Sequence, residues 1–283
     1  MEKAPTNAAK SAKSFTWPEL DGRVCVVTGA GSGIGAQTAC ELAASGASVA
    51  VLDRDGDAAK HIAQLIAHAG GRAISLTADV TDVVAIRAAA AQVQNELGPC
   101  DALVNNAALV GYAGSLMDSD LELWDRMQAV NLKGALICTK AFGQHMIDAG
   151  AGGSIVNVAS ICGHTPLPLG GAYSVGKAGL LMLTRMLSLE LSQYRIRCNS
   201  VSPGLVRTPA TEVAYSNPAV ALGRDQMVPA GRVADALDLA NAIAFLVSDR
   251  SLYVNGQDIL VDGGLIQTIM GLVPKSTKPM PAS

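Results

Sequence analysis

Tyr173 and Lys177 stand four residues apart in "GGAYSVGKAGLLMLT", a stretch with no other charged side chain. On a helix that spacing sets both on one face. A phenol with an ordinary pKa of about 10 is a poor base at neutral pH, and a nearby ammonium favours its phenolate. At ~4 Å and an effective dielectric of ~20, the attraction is roughly 4 kcal/mol. That would lower the phenol by about three pKa units before desolvation opposes it. Such a pair is suited to taking a proton from a carbinol oxygen or returning one to a carbonyl.

A second group of residues suits a phosphate. "TGAGSGIG", residues 28–35, joins an apolar run to a helical pattern. Gly29, Gly33 and Gly35 let the backbone turn sharply and approach a pyrophosphate, with Ser32 and Ile34 between them. The helix that follows offers free N–H groups and the positive end of its dipole. The spacing is T-G-x-x-x-G-x-G rather than G-x-G-x-x-G. Asp53 ends the next apolar run, 18 residues after Gly35, where an acid would hold the hydroxyl pair of a ribose. Asp79, in "ADVTD", is placed either to face an adenine or to belong to a helix cap with Thr81 or Asp82.

These residues need a scaffold, and apolar runs alternate with helical patterns to supply one. Strands are expected at 23–28, 48–53, 72–79, 101–106, 154–160, 197–204 and 258–262. Helices are expected from about 33 to 46, over 56–69, 82–97, 120–147, 172–193 and 233–247, with a Pro- and Gly-rich loop over 203–231. Unbroken apolar strands alternating with helices predict a doubly wound α/β domain whose parallel sheet is covered on both faces. The domain is expected over 21–269, with a substrate loop at about 204–231 and tails at 1–20 and 270–283.

Composition excludes several classes. The net charge of −3 offers no basic field for nucleic acid. The six cysteines are scattered without C-x-x-C spacing, so no metal site is expected and the thiols fit a reducing cytoplasm. No apolar run is long enough to span a membrane, and the first 15 residues lack the apolar core of a signal peptide.

Taken in order, "TGAGSGIG", "DV" (79–80), "NNAA" (105–108), "VNLKG" (130–134), "SIVNVAS" (154–160), "YSVGK" (173–177) and "PGLVRT" (203–208) resemble the short-chain dehydrogenase/reductase family, in its short single-domain branch. The resemblance covers roughly residues 21–265. It implies a Rossmann fold with a seven-stranded parallel sheet in the order 3-2-1-4-5-6-7, a nicotinamide cofactor and a homotetramer. Asn131, Ser160, Tyr173 and Lys177 match the family's catalytic tetrad. The resemblance gives Asn106 and Ala107 a place between the central strands, Asp79 and Val80 a contact with adenine, and Lys177 one with the nicotinamide ribose. Pro203, Gly204 and Thr208 fall in its cofactor segment, with Thr208 at the nicotinamide carboxamide. Ala108 stands where the family often has glycine.

The expected activity is NAD(H)-dependent hydride transfer on a secondary alcohol or ketone. Ser160 would hydrogen-bond the substrate oxygen, and Asn131 would hold a water that relays protons from Lys177. Asp53, with Ser32 rather than a basic residue before Gly33, favours NAD over NADP. Segments 109–115, 161–171 and 209–230 are mainly small and apolar, which favours a small neutral substrate. Within them Cys162 and His164 are possible pocket residues, and Arg207 is a surface ion-pair residue or a substrate contact. The alternatives are a catalytically silent redox sensor or scaffold, a nucleotide-sugar epimerase or dehydratase, and an NADPH-dependent 3-oxoacyl reductase.

Overall fold

The structure, a computed structural model, describes residues 17–111 and 114–272. Its seven strands are β1 Val24–Thr28, β2 Ser48–Asp53, β3 Arg72–Thr77, β4 Ala102–Asn105, β5 Gly153–Val158, β6 Ile196–Pro203 and β7 Asp258–Val261. They form one parallel sheet in the order β3-β2-β1-β4-β5-β6-β7. The order reverses between β1 and β4, which is where open α/β sheets leave a crevice at their carboxyl ends.

The helices are α1 Gly33–Ala44, α2 Gly56–His68, α3 Val83–Glu96, α4 Leu121–Gln128, α5 Ala135–Ala149, α6 Gly171–Leu191, α7 Pro218–Met227 and α8 Ala236–Val247. Side-chain alternation along the strands sorts two cores. Cys25, Val27, Val49 and Val51 face α1, α2 and α8, while Val24, Val26, Ala50 and Leu52 face α3, α5 and α6. Both faces of the central strands are therefore buried, which explains their unbroken apolar sequences.

Three expectations need correction. The helix expected over 120–147 is three pieces, because a π turn at Ala129–Gly134 separates α4 from α5. The loop expected over 203–231 holds a 3-10 turn at Pro209–Tyr215 and then α7. Pro209 and Pro218 sit at helix starts, where the missing N–H costs nothing. The packed chain also begins before residue 21, since Pro18–Leu20 form a 3-10 turn and Leu20 is buried. At the other end a 3-10 turn runs over Leu265–Leu272, and the rest of both expected tails lies outside the described residues.

Candidate active site

The phosphate loop is built by close approach. A Cβ at Gly35 would stand 2.3 Å from the Gly29 carbonyl oxygen and 2.4 Å from Asn106 Nδ2, and one at Gly29 would stand 2.7 Å from Ala107 Cα. Gly29 and Gly33 also have left-handed backbones, at φ +62° and +56°. Asn106 explains the approach: its Nδ2 donates to the carbonyls of Thr28 and Gly29, both at 3.0 Å. Its N–H donates to Thr28 Oγ1 at 3.0 Å, and that of Ala107 to the same oxygen at 3.1 Å. This lashing of β1 to β4 places the loop over the switch point.

Helix α1 then differs from its neighbours. Side chains of Asp55, Asp82, Asp120, Asn217 and Asp235 cap α2, α3, α4, α7 and α8. Ser32, at the N-cap of α1, makes no such bond, and no acid lies in the first turn. The free N–H groups and the positive helix end are thus left for an anion.

That end opens on a cleft of about 290 Å³. Gly29, Ser32, Gly33, Ile34, Asp53, Asp79, Val80, Asn106, Ala107 and Thr208 line it, as expected, together with Arg54, Leu109 and Val130. The expected cofactor residues Gly35, Pro203, Gly204, Tyr173 and Lys177 are not on its wall. Gly35 is spent on the packing described above, and Gly204 lets the chain pass Asp262, where a Cβ would meet Cα at 2.7 Å. These cradles, which side chains would fill, together with an uncapped helix end and a carboxylate at the ribose position, fit a nicotinamide dinucleotide.

Asp53 has a further bond that the sequence did not reveal. Its Oδ2 accepts from the Gly31 N–H at 2.9 Å, so the acid also pins the phosphate loop. Asp79 lines the cleft, and its Oδ1 accepts from Thr81 N and Oγ1 at 2.8 and 2.7 Å, while the cap of α3 is made by Asp82. Those bonds, with a smaller contribution from the Arg54 charge, hold its carboxyl below the usual range.

Ser160 follows β5, Tyr173 and Lys177 lie in the first turns of α6, and Asn131 lies in the π turn. The Ser160 hydroxyl accepts from Cys162 N at 3.1 Å, capping a 3-10 turn at Ile161–Gly163. Its side chain also lies near enough to the Tyr173 phenol to favour the phenolate. Gly163 permits this, since a Cβ there would stand 2.9 Å from the Lys177 carbonyl carbon. Gln128 Nε2 donates to Ala172 O at 2.7 Å and fixes the start of α6 against α4.

The electrostatics differ from the sequence expectation. The Lys177 Nζ lies 5.7 Å from the centre of the Tyr173 ring and donates to Val158 O at 2.7 Å. Burial pushes the phenol up to about 12, against the opposing effect of Ser160. Burial likewise draws the ammonium down from 10.5 to about 8. The expected lowering of the phenol by Lys177 is therefore absent. The ammonium faces a carbonyl, and desolvation governs both groups.

Asn131 is also committed. It is buried, its Oδ1 accepts from Leu109 N at 2.7 Å, and its Nδ2 donates to Leu109 O at 2.9 Å. The side-chain amide braces the strand-end segment with one of its two N–H donors and one of its two carbonyl lone pairs.

The Lys177 shift has a consequence for stability. Between about pH 8 and 10.5 the unfolded chain binds this proton and the folded one does not. Stability from this group therefore rises with pH across that window, and the penalty is full at neutral pH. A depression of that size is worth ~3 kcal/mol, whereas stranding the Val158 carbonyl costs ~1–3 kcal/mol. Lys177→Met is thus expected to melt at or above wild type at neutral pH and to lose that margin by about pH 10. Calorimetry at the two pH values checks this, and a variant melting well below wild type at neutral pH would show the ammonium to be a net stabiliser.

One tether lies outside the expected set. His164 Nε2 donates to Asp258 Oδ2 at 2.8 Å, and Asp258 Oδ1 accepts from Ser200 Oγ at 2.6 Å and Ser202 Oγ at 3.0 Å. The turn that carries Ser160 is thus fastened to the outermost strand. His164 stood out in the sequence; its partner, 94 residues on, did not.

The family model described as enoyl-(acyl carrier protein) reductase matches residues 29–266. A (3R)-3-hydroxyacyl-CoA dehydrogenase of Rattus norvegicus is 37% identical over 253 residues, covering 87% of this chain and 97% of that protein. A crystal structure of a short-chain type dehydrogenase/reductase from Mycobacterium marinum aligns with a TM-score of 0.82 at 35% identity, over 88% of this chain and 97% of the other. A gluconate 5-dehydrogenase from Burkholderia cenocepacia J2315, in complex with NADP and tartrate, aligns with a TM-score of 0.84 at 32% identity, over 89% and 98%.

Proposed function

Because the chain belongs to the short-chain dehydrogenase/reductase family, we propose that it is an NAD(H)-dependent oxidoreductase of a secondary alcohol or the matching ketone. The observation that carries this reading is the cleft formed by the glycine loop, an uncapped helix start and Asp53; the Ser160 and Tyr173 hydroxyls supply the proton-handling groups. When bound, the nicotinamide ring gives or accepts the hydride.

The chain's own residues handle the proton and the orientation. Tyr173 exchanges a proton with the substrate oxygen, and Ser160 orients that oxygen through its hydroxyl. Lys177, held by Val158 O, keeps a positive charge near the phenol, and Asn131 holds Leu109 and the cleft wall beside it. Asp53 favours NAD by accepting from the adenosine ribose, and Thr208 stands on the cleft wall for the carboxamide. The reacting end of the substrate is neutral, since Lys177 is the lone charged side chain within 173–177. Nicotinamide absorbance followed with a panel of secondary alcohols tests the reading. Tight NADH binding with no turnover across the panel would favour a silent redox sensor instead.

The same reading includes a homotetramer in the cytoplasm. Among the described residues no helix is long and apolar enough to cross a membrane. Leu180, Leu181 and Leu187 of α6 are buried within the chain. The uncovered apolar side of α6 is instead Val175, Met182, Met186 and Leu189, with Leu136 of α5 also exposed. Covering it with a second copy removes this surface from water. Light scattering at micromolar concentration is expected to give four chains, and a monomer would refute the assembly.

A further inference from the structure

The lobe after β6 carries two guanidinium groups that form no ion pair among the described residues. Tyr215 closes the 3-10 turn that starts at Pro209 and is buried against Val228, Val233, Leu205 and Ala221. The guanidinium of Arg207 lies 4.9 Å from the centre of its ring and that of Arg224 lies 4.8 Å from it. Sharing one ring holds two like charges within about 10 Å of each other, and both are oriented by stacking.

Among the described residues, neither guanidinium makes an ion pair or a side-chain hydrogen bond. The surface salt bridge considered for Arg207 does not form. The neighbouring acids are otherwise engaged: Asp238 pairs with Arg232 at 2.7 Å, Asp225 accepts from Val233 N at 2.9 Å, and Asp235 caps α8. Glu212 is in the same segment but forms no ion pair. Ten guanidinium N–H donors thus have no acceptor side chain among the described residues. Arg207 directly precedes Thr208, which lines the cofactor cleft. Arg207 is thus one residue along the chain from the cleft wall, and Arg224 is joined to Arg207 through the shared Tyr215 ring.

We propose that Arg207 and Arg224 bind an oxyanion of the substrate, so that the preferred substrate is a secondary alcohol or ketone bearing a carboxylate, sulfonate or phosphate at the end remote from the reacting carbon. This rests on the oxidoreductase reading and narrows its substrate class. The carbinol end meets the uncharged hydroxyls of Ser160 and Tyr173, and the far end meets two planar donors suited to bidentate oxyanions.

The test uses matched substrates on the full-length enzyme. Secondary hydroxy acids of increasing chain length are compared with their carboxamides, and the best length is repeated as sulfonate and phosphate. Wild type is expected to prefer the anion at least about tenfold in kcat/KM, mostly through KM. In Arg207→Gln/Arg224→Gln that ratio is expected to fall to within about threefold of one. Arg207→Lys, which keeps the charge and loses the planar fork, is expected to fall between.

A readout independent of turnover uses adipate, an unreactive dicarboxylate. It is expected to raise the melting temperature of the wild type with NADH present, and not that of the double variant. Turnover of both members of a pair at equal kcat/KM, or a preference unchanged in the double variant, overturns the anion site and leaves the oxidoreductase reading standing. If no alcohol is turned over, the oxidoreductase reading fails, and the adipate shift alone then decides whether the anion site exists.

Discussion

Tyr173→Phe is expected to lower turnover about a thousandfold while NADH binding stays within about threefold of wild type. The change removes the proton that the substrate oxygen must gain or lose and keeps the ring that packs at the start of α6. With the phenol pushed up to about 12, the oxidation direction must wait for a scarce phenolate, so its rate rises from neutral to alkaline pH. Reduction uses the protonated phenol and is not limited in this way. Steady-state rates in both directions, with hydride transfer shown to be limiting, check the pair of expectations. More than a tenth of wild-type kcat in the variant, or an oxidation rate flat with pH, would mean that another group carries the proton.

The second large effect concerns cofactor choice. With Asp53 in place, the 2′-phosphate of NADP meets a carboxylate where the ribose hydroxyls would otherwise donate to it. Repulsion and lost hydrogen bonds together cost roughly 2–4 kcal/mol, about thirty- to a thousandfold in kcat/KM. Asp79 on the same wall adds a second negative charge, while Arg54 offers a cation that a phosphate would welcome. Asp53→Asn separates the charge from the architecture, because its amide oxygen can still accept from Gly31 N. Its NADP-to-NAD ratio is expected to rise at least about tenfold, with the loop kept in place. An unchanged ratio would assign ribose selection to another residue.

What was legible in the sequence was whatever local chemistry announces. The strands appear in the sequence as unbroken Val, Ala and Leu runs, and the sheet order followed from the family resemblance. The glycine loop, Asp53 and the Tyr173–Lys177 spacing were visible as types at fixed intervals. The π turn was not: "AVNLKG" differs little from any helical hexamer, and the wider turn depends on Asn131 reaching Leu109 across 22 residues. The two prolines of the lobe looked like breakers because a breaker and a first-turn proline share one letter, and Asn217 decides between them by capping α7. The phenol's direction of shift was misjudged because burial and the Val158 carbonyl belong to packing, not to spacing. The stacking of Arg207 and Arg224 on Tyr215 likewise required the lobe to fold back on itself.

The bond from His164 to Asp258 also sets an order of events during synthesis. The turn behind Ser160 emerges from the ribosome long before its anchor, which lies in the last strand of the sheet. A nascent chain can expose β1 to β5 and the glycine loop while the serine turn is still untethered. The tether forms last, when β7 docks beside β6 and Asp258 gathers Ser200, Ser202 and His164. Prematurely terminated chains that stop before β7 therefore lack this tether.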